Sequence, residues 1–365
     1  MSVAFLDLGA ATRELRGEID ESLAEVLASG WYIGGPAVTR FEEEWAAYCG
    51  AAYCVGVGNG LDALHLSLRA LEIGSGDEVI VASNSYIATV LAITMAGATP
   101  VLVEPDPATH NLDPRRIEAA LTPRTRALLP THLYGQPADM DALLALAGSH
   151  GLRVIDDAAQ AHGARYRGRR VGASADITAW SFYPSKNLGA LGDAGAITTN
   201  DPEFAQRVRV LGNYGSSRRY INEVRGLNSR LDPMQAAILA VKLRHLDRWN
   251  DRRKAVAGYY NDRLSGAGLT LPYVPDWADP AWHLYVVQHS DRGGFQSRLA
   301  ERGIGTLIHY PVPPHLQQAY ADMNLARGSL PIAERLADTV LSLPVGPHMS
   351  DGEVEQVVQA VLASC

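Results

Sequence analysis

A lone lysine in an otherwise uncharged stretch is the side chain of this sequence best suited to covalent chemistry. Lys186 lies in the segment WSFYPSKNLGALG (180–192), and it is the only charged residue between Asp176 and Asp193. Apolar surroundings disfavour the ammonium form and lower the pKa of such an amine. It can then form a Schiff base with an aldehyde, above all with that of pyridoxal phosphate (PLP). Taken alone, a surface lysine in a glycine-rich turn is the commoner interpretation.

Two adjacent acids change that balance. Asp156 and Asp157 follow the predicted strand 152–155, and Asp157 lies 29 positions before Lys186. Ligands of an open parallel sheet bind at the carboxyl ends of its strands. PLP needs an acid against its pyridine nitrogen to keep the ring protonated. The alternative is that the acids cap the next helix, but together with Lys186 they favour a cofactor.

A glycine turn supplies the expected phosphate site. The residues Gly-Asn-Gly-Leu at 58–61 join a predicted strand to a predicted helix, and backbone amides at a helix start bind phosphate. Ser181 can add a hydroxyl, and Tyr86 can stack on the pyridine ring. An ordinary tight connection explains the glycines equally well, and core packing explains the tyrosine.

Alternating strands and helices must position these side chains. Between residues 53 and 199 the pattern of strand, turn and helix repeats, which predicts an α/β fold with a mostly parallel sheet covered by helices on both faces. The predicted strands are 53–57, 78–82, 100–103, 125–130, 152–155, 178–182 and 194–199. The predicted helices of this region and of the N-terminus are 13–29, 38–49, 61–71, 87–96, 114–121 and 140–150.

The character of the chain changes after about residue 205. A polar loop is predicted over 209–232 and a long helical stretch over 233–260. Strands at 283–289 and 306–309 and helices at 295–302, 332–340 and 351–362 indicate a smaller α+β unit. We therefore predict a large PLP-binding domain over 1–245 and a small C-terminal domain over 246–365.

Composition excludes several classes of protein. The 32 basic and 40 acidic residues give a net charge of −8, so nucleic acid is not an expected partner. Three scattered cysteines provide neither a disulfide framework nor a zinc site, which indicates a reducing cytoplasm and no metal. The N-terminus meets acids too early for a signal peptide. The uncharged run 79–103 is broken by polar residues, glycine and proline, so no membrane span is expected.

Four motifs together resemble the DegT/StrS-type (DegT/DnrJ/EryC/StrS) sugar aminotransferases. They are DDAAQAHGA (156–164), SFYPSKNLGALGDAGAI (181–197), RGLNSRLDPMQAAIL (225–239) and HYPVPPH (309–315). Members of that family are fold-type-I PLP enzymes that act on nucleotide-linked ketosugars, and the resemblance extends from about residue 5 to the C-terminus. It implies that Lys186 is the Schiff-base lysine and Asp157 the partner of the pyridine nitrogen. Further cofactor contacts are implied for Gly60, Leu61, Tyr86, Gln160 and Ser181, and for Asn228 of the neighbouring subunit.

The resemblance also implies a reaction and an assembly. Family members that dehydrate sugars carry histidine at the position of Lys186, so the lysine argues for amino transfer. The implied reaction is a ping-pong transamination through pyridoxamine phosphate, with glutamate as donor and 2-oxoglutarate as its product, in a homodimer with shared active sites. The overall pattern is most similar to enzymes that aminate C3 of a dTDP-linked 3-keto-6-deoxyhexose. Amination at C4, or of a UDP-linked acetamido 3-ketosugar, is the alternative.

Substrate contacts are harder to place. The candidates are Tyr183, Arg219, His309, Tyr310 and His315. Arginine forks suit the pyrophosphate of a sugar nucleotide, although a solvated loop explains Arg219 equally well, and a structurally satisfied histidine is an equal alternative for each His. A regulatory protein that keeps this scaffold without turnover is the rival from another class. The presence of both Lys186 and Asp157 argues against it.

Overall fold

A seven-stranded sheet is the centre of the computed structural model, which describes residues 2–365. The strand order is β1-β9-β8-β5-β4-β2-β3, and every neighbouring pair is parallel except those of β9, which runs antiparallel to β1 and β8. The mostly parallel α/β sheet predicted from the sequence is confirmed. The strands are β1 Tyr53–Val57, β2 Glu78–Ala82, β3 Thr99–Val103, β4 Thr125–Leu129, β5 Arg153–Asp157, β6 Arg165–Tyr166, β7 Arg169–Arg170, β8 Ile177–Ser181, β9 Gly195–Thr199, β10 Ser216–Arg218, β11 Ile221–Asn222, β12 Ala278–Asp279, β13 Tyr285–Gln288 and β14 Val340–Leu343.

Helices surround this sheet and follow it in the chain. They are α1 Ala10–Glu14, α2 Arg16–Ser29, α3 Pro36–Cys49, α4 Gly60–Ala70, α5 Ile87–Met95, α6 Pro114–Ile117, α7 Met140–His150, α8 Pro202–Gly212, α9 Pro233–Leu243, α10 Leu246–Leu264, α11 Arg292–Glu301, α12 Pro331–Thr339 and α13 Asp351–Leu362. Short 3₁₀ turns occur at Glu118–Ala120, Leu133–Gly135, Pro314–Leu316 and Gln318–Met323.

Both faces of the sheet are covered because successive side chains of a strand point to opposite sides. In β2, Val79 and Val81 join a core with α4, α5 and α8, whereas Ile80 and Ala82 join a separate core with α6 and α7. All four side chains are buried. This explains why the strand reads as an unbroken apolar run, as buried parallel strands do.

A third core supports the segment that carries Lys186. Phe41 and Trp45 of α3 pack with Trp180 and Phe182, and their ring centroids lie 4.9–5.4 Å apart in edge-to-face pairs. The same cluster takes in Leu188 and Ala190 and the apolar face of α9. The connection between β8 and β9 is therefore clamped by aromatic packing.

The C-terminal part has its own core around the antiparallel pair β13–β14, with α10, α11 and α13. The proposed division between residues 245 and 246 falls at the break between α9 and α10. Val3, from the other end of the chain, also packs in this C-terminal core and pairs with Ile304. Val3 thus packs with the C-terminal domain, although the predicted division assigns it to the large domain 1–245.

Several predicted elements were wrong. Residues 209–212, assigned to the polar loop, are the last turn of α8, a helix that the sequence reading omitted. The single helix predicted over 233–260 is two helices with a break at Arg244 and His245. The strand predicted over 306–309 is only an isolated bridge between Leu307 and Ser342, and Val340, placed in a helix, begins β14.

Candidate active site

Asp157 is the last residue of β5 and is buried. It was predicted to follow the strand, but β5 extends through both acids, so Asp156 and Asp157 point to opposite faces. Thr89 Oγ1 donates a 2.7 Å hydrogen bond to Asp157 Oδ2, and the Ala159 amide donates to Oδ1 at 3.2 Å. Burial raises the pKa of Asp157 despite these bonds and the nearby Lys186. A buried acid of this kind gains much from a cationic ring nitrogen beside it.

Lys186 lies in the loop between β8 and β9, and its backbone amide donates to the Tyr183 carbonyl at 2.8 Å. Desolvation lowers the pKa of its amine to about 8, while Asp157 acts in the opposite direction. The direction is the one expected for a lysine in apolar surroundings. Buried Lys242 of α9 is bonded to the same loop, because its Nζ donates to the Gly189 carbonyl at 2.6 Å.

The start of α4 forms an anion cradle. Asn59 caps the helix by accepting from the Asp62 amide at 2.8 Å. Among residues 2–365, no acceptor meets the backbone amides of Gly60 and Leu61, the first two residues of the helix. Free amides at a helix N-terminus bind phosphate. A Cβ added at Gly60 would lie 2.6 Å from the Cβ of Ser181, so only glycine lets the serine approach this closely.

Gln160 is oriented by a backbone donor. The Tyr134 amide donates to Gln160 Oε1 at 2.6 Å, so the side chain must turn its Nε2 the other way, where it donates to the Tyr310 hydroxyl at 3.2 Å. Tyr134 in turn donates its hydroxyl to the carbonyl of His309. The Tyr310 ring lies 4.9 Å from the half-exposed ring of Tyr86 at the start of α5. Gln160 Nε2 is thus fixed as a donor beside the tilted ring pair of Tyr86 and Tyr310.

Three neutral histidines surround Lys186. Burial and the lysine charge lower the pKa of His162 to about 3 and that of His309 to about 4, and they hold the pKa of His283 well below its usual range. His309 Nδ1 lies 2.8 Å from Ser342 Oγ. Sequence reasoning missed His162 and His283 as site residues. His162 stands in the motif with Asp157, which was a usable signal, whereas His283 reaches the site only through tertiary structure.

The structure brings some predicted site residues together and leaves others apart. Tyr183 is exposed beside Lys186, and Ser181 adjoins the cradle. Arg219 and Asn228 lie in the exposed segment after α8, where the Arg219 guanidinium sits 5.0 Å from the Tyr220 ring. His315 is buried, and its Nε2 lies 3.0 Å from Glu334 Oε1. Its contacts are those of a structural histidine.

The residues assembled here fit PLP. A partly exposed amine of lowered pKa, a buried acid and a pair of free helix amides match the aldehyde, the pyridine nitrogen and the phosphate. No group of three or more His, Cys, Asp or Glu side chains suited to a metal ion occurs within residues 2–365. No helix in that range is long and apolar enough to cross a membrane.

Comparison with known proteins agrees with this chemistry. Residues 13–362 match the model of the DegT/DnrJ/EryC1/StrS aminotransferase family. The chain is 56% identical to the erythromycin biosynthesis sensory transduction protein EryC1 of Saccharopolyspora erythraea, over 100% of both chains. It is also 56% identical to dTDP-3-amino-3,4,6-trideoxy-alpha-D-glucose transaminase of Streptomyces venezuelae, over 98% of this chain and 95% of that one.

A solved structure is equally similar. The crystal structure of S. venezuelae DesV in complex with a ketimine intermediate superposes with a TM-score of 0.98 at 56% identity, covering 99% of this chain and 98% of that chain. The chain belongs to the DegT/DnrJ/EryC1/StrS aminotransferase family. It is a PLP-dependent aminotransferase, as the resemblance implied, with the fold of that family.

Proposed function

We propose that the protein transfers an amino group from glutamate to C3 of a dTDP-linked 3-keto-6-deoxyhexose, in the biosynthesis of a deoxyamino sugar. The observation that carries the amino-transfer chemistry is the pair formed by half-buried Lys186 and buried Asp157 beside the open cradle of α4. The name of the S. venezuelae relative supports the sugar, the nucleotide and the carbon. Amination at C4, or of a UDP-linked acetamido 3-ketosugar, is the alternative within the class.

Lys186 carries the covalent and the proton-transfer steps. Its amine would hold the cofactor aldehyde, and after an amino donor has displaced the amine, the freed amine would move a proton from the donor's α-carbon to the cofactor. A pKa of about 8 suits both roles, because the amine gains and loses a proton easily near neutral pH. When bound, PLP supplies the electron sink that makes the α-proton removable. The same residues act in reverse on the ketosugar.

The other residues hold and tune the cofactor. Asp157 would keep a proton on the pyridine nitrogen of the cofactor, since the buried carboxylate is stabilised by that cation. Gln160 Nε2, fixed as a donor by the Tyr134 amide, would donate to the cofactor's phenolic oxygen. Tyr86 would cover the cofactor ring, and the amides of Gly60 and Leu61 would bind the phosphate with Ser181.

We propose further that the working form is a homodimer in which Asn228 completes the phosphate site of the partner. Two neighbouring residues support this. Ser229 is buried and accepts from the Gly58 amide at 2.9 Å, so it serves its own cradle, whereas the adjacent Asn228 is exposed. The consecutive exposed side chains of Trp31, Tyr32 and Ile33 form an apolar patch of the kind that marks an interface.

Sugar contacts are proposed for Tyr183, His309 and Tyr310, because His309 lies close enough to Lys186, and Tyr310 close enough to Asp157, for their charges to interact, and Tyr183 is exposed. Arg219 lies in the turn between β10 and β11. For it to bind a sugar nucleotide, we propose that this hairpin enters the active site of the partner subunit. A sugar contact for His315, as predicted from sequence, requires its bond to Glu334 to open. We propose that the protein is cytoplasmic, as its three scattered cysteines predict.

Absorbance and product analysis test the function. The purified protein loaded with PLP should lose the absorbance of the lysine-bound cofactor when glutamate is added. The form that then carries the amino group should convert a dTDP-3-keto-6-deoxyhexose to the 3-amino sugar. NMR of the product locates the new amine, with 4-keto and UDP-linked acetamido 3-keto sugars as competing substrates. The Lys186→Ala variant is the control and should give neither step. A protein that binds PLP but turns over no sugar would favour the regulatory alternative, for which the name of the S. erythraea relative is the support.

A further inference from the structure

The protonated nitrogen of His283, which lies beside the active-site cleft, can be identified from its hydrogen bonds. The side chain is 8% exposed and precedes β13. Its Nδ1 lies 3.3 Å from Oδ1 of Asn187, the residue next to Lys186. Whether that nitrogen donates or accepts depends on the orientation of the asparagine amide, which other contacts determine.

Two backbone carbonyls fix this orientation through a relay of amides. Asn250 Nδ2 donates to the His162 carbonyl at 2.8 Å, and since a carbonyl only accepts, Asn250 Oδ1 must point the other way. Asn187 Nδ2 donates to that Oδ1 at 2.8 Å and to the Ala281 carbonyl at 2.7 Å. The atom of Asn187 that faces His283 is therefore its oxygen.

An amide oxygen accepts, so His283 Nδ1 carries the proton. The ring is neutral because it is buried and because Lys186 and Arg253 place positive charge near it. The Arg253 guanidinium donates to the carbonyls of Trp282 at 3.3 Å and Val345 at 2.9 Å. A neutral imidazole has one proton, so Nε2 is left with a lone pair.

The free nitrogen is not sealed in the core. Within residues 2–365 no group donates to His283 Nε2, yet the atom is not fully buried, whereas both nitrogens of His162 are buried and unpartnered. Lys186 lies close enough to act electrostatically on the ring. Nε2 is thus an accessible acceptor near the lysine, with its protonation state fixed by the relay.

We propose that His283 is a positioning residue for Lys186: once the lysine amine is freed for proton transfer, Nε2 accepts a hydrogen bond from it and thereby directs the amine's lone pair. A neutral amine has two N–H groups and one lone pair, so an acceptor on one side determines where the lone pair points. The relay from Asn250 through Asn187 holds that acceptor in place. This inference rests on the proposed function, because the lone pair matters for removing the donor's α-proton.

Two substitutions separate the nitrogens of His283. His283→Asn keeps a donor near the position of Nδ1 and loses the acceptor, whereas His283→Gln places an oxygen near the position of Nε2. In the half-reaction with glutamate alone, without any sugar, we expect His283→Asn to slow bleaching by roughly 10- to 100-fold, within the range of acid–base contributions. His283→Gln should retain most of the rate. Both variants should bind PLP as wild type does.

The isotope effect and the second substrate sharpen this test. With 2-deuterated glutamate, His283→Asn should show a larger primary isotope effect than wild type, because proton removal becomes rate-limiting. An unchanged glutamate half-reaction with a slower sugar half-reaction would overturn the proposal and indicate a sugar contact instead. Failure of wild type to bleach with glutamate would contradict the proposed donor and would say nothing against His283.

A measurement on the wild-type, cofactor-free protein needs no activity. Nitrogen-15 NMR of the histidines, with His283 assigned by its absence from the His283→Gln spectrum, should show protonated Nδ1 and unprotonated Nε2 at neutral pH. Asn187→Leu removes the oxygen to which Nδ1 donates, so it should disturb this tautomer. Observation of protonated Nε2 in wild type would overturn the assignment even if the substitutions at 283 do not fold.

Discussion

Thr89 Oγ1 donates a 2.7 Å hydrogen bond to Oδ2 of Asp157, and this bond ties the first turn of α5 to the end of β5. The carboxyl group is buried, and burial raises its pKa. The hydroxyl acts against that rise, because it favours the charged form of the acid. Thr89 therefore helps to keep Asp157 ionised for the pyridine nitrogen.

Replacing Thr89 by valine should weaken PLP binding by at least about 10-fold, since a hydrogen bond to a charged group contributes about 1.5–3 kcal/mol. Valine keeps the volume and loses only the hydroxyl. The dissociation constant can be measured by titrating cofactor-free protein with PLP and following the lysine-bound absorbance. Thr89→Ser is the matched control and should stay near wild type. Equal affinities for the valine and serine variants would show that the bond contributes nothing.

Gly60→Ala should impair the cradle for a steric reason. The new Cβ would lie 2.6 Å from Ser181 Cβ and 3.2 Å from its Cα, and overpacking of this kind costs about 1–3 kcal/mol. We expect the dissociation constant of PLP to rise by about 5-fold or more, in line with that cost. Gly148→Ala, on α7, is the control, because its Cβ would meet nothing within 4 Å. Normal PLP affinity in Gly60→Ala would mean that β8 moves away without cost.

The pKa of Lys186 makes cofactor capture depend on pH. Only the neutral amine attacks an aldehyde, so the rate at which cofactor-free protein captures PLP should rise with pH and level off above about 8. Asp157 raises the pKa of Lys186, hence Asp157→Asn should shift the inflection to lower pH. Stopped-flow absorbance measures both curves. An inflection near the ordinary value of 10.5 would contradict the burial of the amine.

Local pattern was sufficient for the main sheet. The bounds of β1, β2 and α7 match the prediction because glycine turns and charged residues flank short apolar runs. The pair of Lys186 and Asp157 could be proposed from sequence because Asp157 stands at the end of a predicted strand and Lys186 is the only charged residue of an apolar segment. The omitted helix α8 also had a local signal, as Asp201 caps it and Pro202 occupies its first position.

The rest depends on contacts between distant residues. No periodicity indicates that His283 meets Asn187, 96 positions away, or that Thr89 meets Asp157, 68 positions away. His315 stands in a motif with His309, yet His309 is near enough to Lys186 to be affected by its charge, whereas His315 bonds Glu334. The sequence motif predicts a site role for both histidines equally, and only their packing in the folded protein shows which of them bonds to Glu334.

His315→Leu should therefore affect stability more than catalysis. The Nε2 of His315 bonds to Glu334, which also accepts from the amides of Gly328 and Leu330, and leucine offers no donor, so the substitution leaves the buried Glu334 carboxyl group less well satisfied. We expect a loss of about 1–3 kcal/mol in the free energy of unfolding. Thermal or urea unfolding measures it, and the KM for the sugar nucleotide should be unchanged. A raised KM at unchanged stability would restore the sugar contact predicted from sequence.

The proposed sharing of sites between subunits predicts complementation. Lys186→Ala lacks the amine, and Asn228→Ala lacks the residue that we assign to the partner's phosphate site, so each homodimer should be defective. In a mixed dimer of the two variants, one site combines an intact Lys186 with the intact Asn228 of the other subunit. Unfolding and refolding an equal mixture should give about half mixed dimers, each with one complete site, and hence about a quarter of wild-type activity.

The control for complementation is a mixture in which both variants affect the same site. Lys186 and Asp157 serve the site of their own subunit, so in a mixture of Lys186→Ala and Asp157→Asn every site lacks one of the two residues. This mixture should therefore be as inactive as its parents. If the mixture of Lys186→Ala and Asn228→Ala gained nothing either, Asn228 would act within its own subunit. The exposure of Asn228 beside buried Ser229 would then need another explanation.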